Sequence, residues 1–298
     1  MDASYLAYPK RGYGQDHDLY PWRLSRERPR LKWESGAKVA VCFVVPLEFF
    51  PLDPSGVPFK HPGAMATPYP DLRHYTVRDY GNRVGVFRIL EALGEARATF
   101  AVNAEVARRY PPLMEAIRGH EVAAHGVSTD HIHHEGVGEA EERELIAEAL
   151  DVLGGPEGWM SPARAQSSQT LRLLGEAGVR YCLDWEPDQV PVATSEDVTL
   201  VPTQHELSDF TLMHVRRQSV GAWERQVRDA IALLLGEHER FGGQMLGLTL
   251  TPYVMGQPFR IQALHELMAH IRDTDGVEVF TAGEINRQFR GQFREQTT

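Results

Sequence analysis

The run Val39–Val45, VAVCFVV, is seven apolar residues in a row, with no polar residue on either face of an extended chain. A strand of that kind is covered on both sides, which points to the centre of a parallel sheet sandwiched by helices rather than to an antiparallel sheet wet on one face. Pro46 ends it. Shorter runs of the same character recur: ATFAV before Asn103, Glu121 to Ala124, VRYCLDW ending near Asp184, MLGLTLT ending at Thr251, and VEVFT. Leu200–Val201 and Phe210–His214 are weaker strand candidates. Between them the spacing predicts helices over Tyr80–Leu93 with Asn82 as a candidate N-cap, from Pro111, over Glu139–Leu153 up to Gly154 and Gly155, over Ser168–Ala177, over Val220–Phe241, and over 258–273. The acids of the 139–153 helix read as a solvated face. Strand and helix alternating over this length, with no linker, predict an α/β fold built as one barrel-like parallel sheet over residues 37–298. Residues 1–36, rich in Tyr, Pro, Arg and Gly, read as an irregular arm. The proline-rich stretch 51–79 reads as a long loop of the binding or lid type.

Formal net charge of −10 and a pI near 5.7 oppose binding to nucleic acid or to an anionic membrane, both of which need clustered cations. A small-molecule partner fits better. The only two cysteines, Cys42 and Cys182, sit inside apolar runs and read as buried reduced thiols. No apolar leader and no run of about 18 apolar residues is present, so a cytoplasmic location is expected.

The stretch Gly119–His134, GHEVAAHGVSTDHIHH, holds five of the thirteen histidines. A zincin helix would place its histidines four apart, whereas His120 and His125 are five apart. Glu121–Ala124 fits a short buried strand with His125 at its C-terminal end, the edge of an α/β barrel that carries chemistry. Glu48, His125, Asp184 and Asp209 all fall at or near predicted strand ends. Together they supply a carboxylate able to take a proton from water and an imidazole able to hold or polarise a substrate. The structural alternative is that Asp184 and Asp209 pair with arginines such as Arg164.

RGYGQD, RDYGNRVGVFRILEAL, ATFAVNAEVARRYP, GHEVAAHG, GWMSPARAQSSQTLRLLGEAGVRYCLDW and LTLTPYVMGQPFRIQALHELMAHI occur in an order that resembles the polysaccharide deacetylase superfamily, and within it the allantoinase-like and cyclic-imide-hydrolase-like branch. The resemblance implies a single distorted (β/α) barrel of seven or eight units. It also exposes departures. Deacetylases of that superfamily usually bind a divalent metal through an aspartate and a His-x-x-x-His pair, but here Phe49 stands at the aspartate and Thr129 at the second histidine. Where a late histidine before proline usually acts as the acid, this chain has Thr251 before Pro252. The resemblance therefore implies hydrolysis of a C–N amide bond in a small ureide or imide, with no metal or other cofactor. Glu48 would be the general base, assisted by His125, Arg164 and Asp184, with Ser161, Trp185, Asp209 and Thr251 lining the substrate site. Zinc held by His125 with His131, His133 or His134 is the alternative for the cofactor. Carbohydrate N-deacetylation and a catalytically silent binding protein are the alternatives for function. A homo-oligomer, dimer or tetramer, is expected from such relatives and from the arm, where Tyr5, Tyr8, Tyr13, Tyr20 and Trp22 interleave with Arg11, Arg23, Arg26 and Arg28. The opposing expectation is that the arm packs on its own barrel.

Overall fold

A computed structural model of the chain describes residues 17–54 and 68–293. Its centre is β1 (Val39–Leu47), buried at every position, as the unbroken apolar run requires. Around it lie β2 (Thr99–Val102), β3 (Glu121–Ala124), β4 (Gly158–Trp159), β5 (Tyr181–Cys182), β6 (Val192–Ala193), β7 (Thr199–Leu200), β8 (Gln244–Thr249) and β9 (Val277–Val279). The sheet runs β6-β7-β5-β4-β3-β2-β1-β8, with β9 also paired to β1. Every pairing is parallel except β6 with β7. The sheet curls until Met245 N–H donates to the Gln189 carbonyl at 2.9 Å and Gln204 N–H to that of Gly247 at 2.8 Å, which closes the ring. That closure needs Gly247, because a Cβ there would sit 2.3 Å from the Pro202 carbonyl oxygen.

The two faces of β1 separate the core in two, as side chains of a strand must. Ala40, Cys42 and Val44 point into the barrel with Ala101, Ala123, Met160, Tyr181, Leu183, Val201 and Met245. Val41, Phe43, Val45 and Leu47 point outward to the helices Val86–Leu93, Val220–Phe241 and Ile261–Asp273. Each such buried side chain contributes on the order of 1.5–3 kcal/mol from water exclusion.

Four local expectations are corrected. The stretch read as loop to residue 79 contains a helix over Leu72–Tyr80, capped by Asp71, whose carboxylate accepts from His74 N–H at 3.1 Å. It continues through one π turn, Gly81–Gly85, into the predicted helix, so Asn82 lies inside the helix and is not its cap. Gly85 allows that turn to lie against Pro252, whose carbonyl oxygen would be 2.1 Å from a Cβ. Phe210–His214 is not a strand but leads into a π turn over Thr211–Val215, because Ser208 Oγ accepts from Thr211 N–H at 3.1 Å and starts a helical turn. Glu142 of the 139–152 helix is buried rather than solvated. Its carboxylate receives the hydroxyls of Ser167 and Thr170 and lies 3.0 Å from His133 Nδ1, so its charge is satisfied internally.

The described part of the arm is committed to the barrel floor. Leu31 and Trp33 are buried, the Leu31 carbonyl accepts from Gly243 N–H at 2.7 Å, and Arg28 pairs with Asp188. Gln288 and Gln292 of the last helix accept from Glu34 and Lys32 N–H. Trp22 stays 65 % exposed. RGYGQD, Tyr5, Tyr8, Tyr13 and Arg11 lie outside the described residues, as do 55–67 of the proline-rich stretch. Among the described residues no helix is long and apolar enough to cross a membrane.

Candidate active site

The parallel register sets one row of side chains at the barrel mouth. Leu47 pairs with Val102, Val102 with Ala124, and Ala124 with Trp159. The next residue of each strand is therefore level and inward: Glu48, Asn103, His125 and Met160. Asn103, fully buried, ties the row together. Its Oδ1 accepts from Phe49 N–H at 2.8 Å and its amide nitrogen donates to the His125 carbonyl. Asn82, carried by the π turn, donates to the Glu48 carbonyl at 2.8 Å. Sequence reading missed both asparagines, although Asn103 follows β2 as Glu48 follows β1.

His125 is buried, and its Nδ1 lies 2.7 Å from the Met160 carbonyl oxygen. A carbonyl only accepts, so Nδ1 carries a proton and Nε2 is the nitrogen left to work with. Nε2 faces Glu48 Oε1 at 3.5 Å, the limit of hydrogen bonding, and this is the only hydrogen-bonding contact of the Glu48 carboxylate among the described residues. The Glu48 side chain remains 19 % exposed. It borders a narrow cleft lined by Phe50, Tyr75, Arg78, Asn82 and Tyr110.

Phe49 and Thr129, which the resemblance sets at metal-ligand positions, are both held by the frame. Phe49 also borders the Glu48 cleft, its ring lies under the Arg109 guanidinium at 4.5 Å, and its carbonyl accepts the Thr129 hydroxyl at 2.9 Å. The loop histidines are held apart from one another. His131 Nδ1 lies 2.8 Å from Ser128 Oγ, His134 Nδ1 accepts from Gly136 N–H at 2.9 Å, and buried His133 packs edge-on to Trp159. Burial lowers the pKa of His133, opposed by Glu142. Among the described residues no three His, Cys, Asp or Glu side chains gather as a metal-holding group. This donor set does not fit the metal of the deacetylase pattern.

Arg164 does not meet Glu48. Ala163 and Arg164 both adopt positive φ, 56° and 53°, a backbone conformation costly for residues with a Cβ. The turn sends the guanidinium across the mouth to the Thr203 carbonyl at 3.2 Å and the Thr249 hydroxyl at 2.7 Å. Burial lowers the Arg164 pKa while Asp184 and Glu186 oppose the shift, so the mouth holds a cation without a direct carboxylate partner. Asp184 holds this turn instead, accepting Ser161 N–H at 2.8 Å and the Gln166 amide at 2.5 Å, and Trp185 Nε1 donates to Gln166 Oε1 at 2.9 Å. The Ser161 hydroxyl accepts from Trp159 Nε1 at 2.8 Å.

On the other side of β1, Asp209 is fully buried, and no arginine among the described residues hydrogen-bonds to it. Its carboxylate accepts Thr251 N–H at 2.8 Å, the Thr251 hydroxyl at 2.9 Å and its neighbour Phe210 N–H at 2.7 Å. Burial nevertheless pushes Asp209 up to about 7, against those hydrogen bonds and the charge of Arg260. A separate hollow lies between the arm, the 187–195 segment and Phe289 and Phe293, and none of the candidate catalytic residues lines it.

No family model matches the chain, and no curated protein matches it significantly. Solved structures do. A probable polysaccharide deacetylase from Pseudomonas aeruginosa PAO1 superposes with a TM-score of 0.82 at 24 % identity, over 94 % of this chain and 100 % of that one. Puue allantoinase superposes with a TM-score of 0.79 at 23 % identity, over 91 % and 98 % of the two chains. Over nearly its full length, this chain has the fold of polysaccharide deacetylases and of allantoinase.

Proposed function

We propose that the protein hydrolyses a C–N amide bond in a small cyclic ureide or imide, with Glu48 as general base and without a bound metal. The observation that carries this reading is the under-satisfied Glu48 carboxylate set against His125 Nε2 at the barrel mouth. A carboxylate saturated with donors is a poor base, and this one is kept available. In the reaction Glu48 takes a proton from water as its oxygen adds to the carbonyl. His125, its Nδ1–H claimed by Met160, donates from a protonated Nε2 to the oxygen that gains charge. Arg164 adds a fixed positive charge across the mouth, while Asp184, Ser161 and Trp185 hold its turn in place. The similarity in fold to Puue allantoinase supports the substrate class, and Phe49 and Thr129 weigh against metal-dependent sugar deacetylation.

The test is a turnover screen of hydantoin, allantoin, succinimide and an acetylated chitooligomer, each with and without chelator. Turnover of a cyclic amide that survives chelation is expected. Activity on the sugar alone, lost on chelation and restored by zinc, would replace this reading with the deacetylase one. A second reading, a pocket that binds such molecules without turning them over, is favoured by the same loss of metal donors. It predicts ligand-induced thermal stabilisation with no product in the screen.

A further inference from the structure

The chemistry above leaves the departing nitrogen without a proton donor. Thr251 stands where the resemblance places an acid histidine, and a hydroxyl alone is far too weak an acid near neutral pH. The structure shows what lies behind that hydroxyl. Thr251 follows β8, whose last paired residue, Thr249, is level with Val44 of β1, so Thr251 rises on the strand next to the one that carries Glu48. His125 is on the opposite side of Glu48, two strands away in the sheet order. Thr251 Oγ1 is 2.9 Å from Oδ1 of Asp209, a carboxyl sealed from solvent. Tyr253, two residues on, is buried and interacts electrostatically with both Glu48 and Asp209.

Resting on the hydrolytic reading, we infer that Asp209 is the proton store and Thr251 the donor for the departing nitrogen, a two-residue acid in place of the missing histidine. Asp209 in its acid form turns its O–H to Thr251 Oγ1, which frees the threonine proton to point into the mouth. As the C–N bond breaks, its electron pair leaves on nitrogen and takes the threonine proton. Thr251 Oγ1 recovers a proton from Asp209. Glu48 then holds the proton of the attacking water and Asp209 is a carboxylate, so one proton returned through solvent restores the resting enzyme. Water and the cyclic amide become one ring-opened product carrying a carboxylic acid and the freed amide or ureido N–H, with nothing left over.

Two features of the surroundings fit a group that holds its proton at neutral pH. Burial dominates the environment of Asp209 and pushes it up to about 7. Arg260, a cation acting on it, is itself partly buried and spends a donor on the Val254 carbonyl at 3.1 Å. Tyr253, also buried and pushed up, is neutral and adds no charge.

The experiment uses the full chain and two substrates, a cyclic amide whose nitrogen must be protonated to leave and a 4-nitrophenyl ester whose phenolate leaves unaided. Thr251→Val and Asp209→Asn are each expected to lose about 10²-fold on the amide and less than about fivefold on the ester, with Thr251→Ser close to wild type. Wild-type kcat/KM for the amide should fall as pH rises through about 7, a limb absent for the ester. Carbon-13 labelling of aspartate carboxyls reads the same proton without turnover, and a signal titrating near neutrality should vanish in Asp209→Asn. Variants that keep the amide rate, variants that lose both substrates equally, or the lack of a near-neutral carboxyl signal in an active wild type would each overturn the inference alone. A wild type inert towards every amide would overturn the hydrolytic reading, and this step with it.

Discussion

The two ends of the barrel each hold an inward glutamate, and they are treated in opposite ways. At the floor, Glu121 accepts the Thr99 hydroxyl at 2.6 Å and Gly283 N–H at 2.9 Å, the latter from the first turn of the Ala282–Phe293 helix, where the helix dipole also favours a negative charge. At the mouth, the Glu48 carboxylate has one hydrogen-bonding contact among the described residues, to His125 Nε2 at 3.5 Å. The floor glutamate closes the barrel by satisfying donors that would otherwise be stranded. The mouth glutamate serves only that one long contact among the described residues, and Asn103 and Asn82 hold its backbone so that its side chain need not anchor itself. A carboxylate's role in this fold is thus read from how many donors it already serves, not from its position on a strand.

The comparison breaks most sharply on paired isosteric changes. Glu48→Gln should reduce turnover by about 10²–10⁴-fold while changing stability by less than about 1 kcal/mol, measured by steady-state kinetics beside denaturant unfolding. A variant close to the wild-type rate would place the base elsewhere.

Asp209 sharpens the contrast, being both saturated with donors and poorly solvated. Its folded-state value of about 7 lies above the ordinary value of 3.8, so the folded protein binds this proton more tightly. The stability this provides is fully present below about pH 3.8 and is lost as pH rises through about 7. The loss is at most about 4 kcal/mol, since each unit is worth about 1.4 kcal/mol. Wild type should therefore lose ground to Asp209→Asn between about pH 5 and 8 in unfolding titrations. A difference between the two that does not change over that range would mean that Asp209 is ionised throughout.

Glu121→Gln should do the reverse of the Glu48 change, lowering stability by about 1–3 kcal/mol with the rate preserved. The smallest effect is expected from the exposed lattice of Glu139, Arg143, Arg172 and Glu176 on the outer helices, whose ion pairs span 2.6–3.1 Å. Such pairs are screened, and Arg172→Ala should leave the unfolding midpoint nearly unchanged at physiological salt.

Glu142 shows where sequence reading stops. In the string EAEERELIAEAL it is one acid among several, and only the packing of Ser167, Thr170 and His133 against it separates it from Glu139, exposed three residues earlier in the same helix. Asp209 was singled out beside a supposed strand, yet it precedes a helical turn, and its link to Thr251 spans 42 residues of chain.

The sequence by itself determined the barrel's centre and which polar residues stand at the ends of its strands. An unbroken apolar run admits only a strand covered on both faces, and a polar residue directly after such a run can only emerge at the strand's end. That logic located Glu48 and His125. Tertiary structure alone decided which polar groups are satisfied. It set the 3.5 Å gap between that pair, turned Arg164 to Thr203 and Thr249, and buried Asp209 behind Thr251. The physical reason is range. Hydrophobic periodicity is a property of neighbours in the chain, whereas hydrogen-bond satisfaction and desolvation depend on atoms that closure of the sheet brings together from strands far apart in sequence.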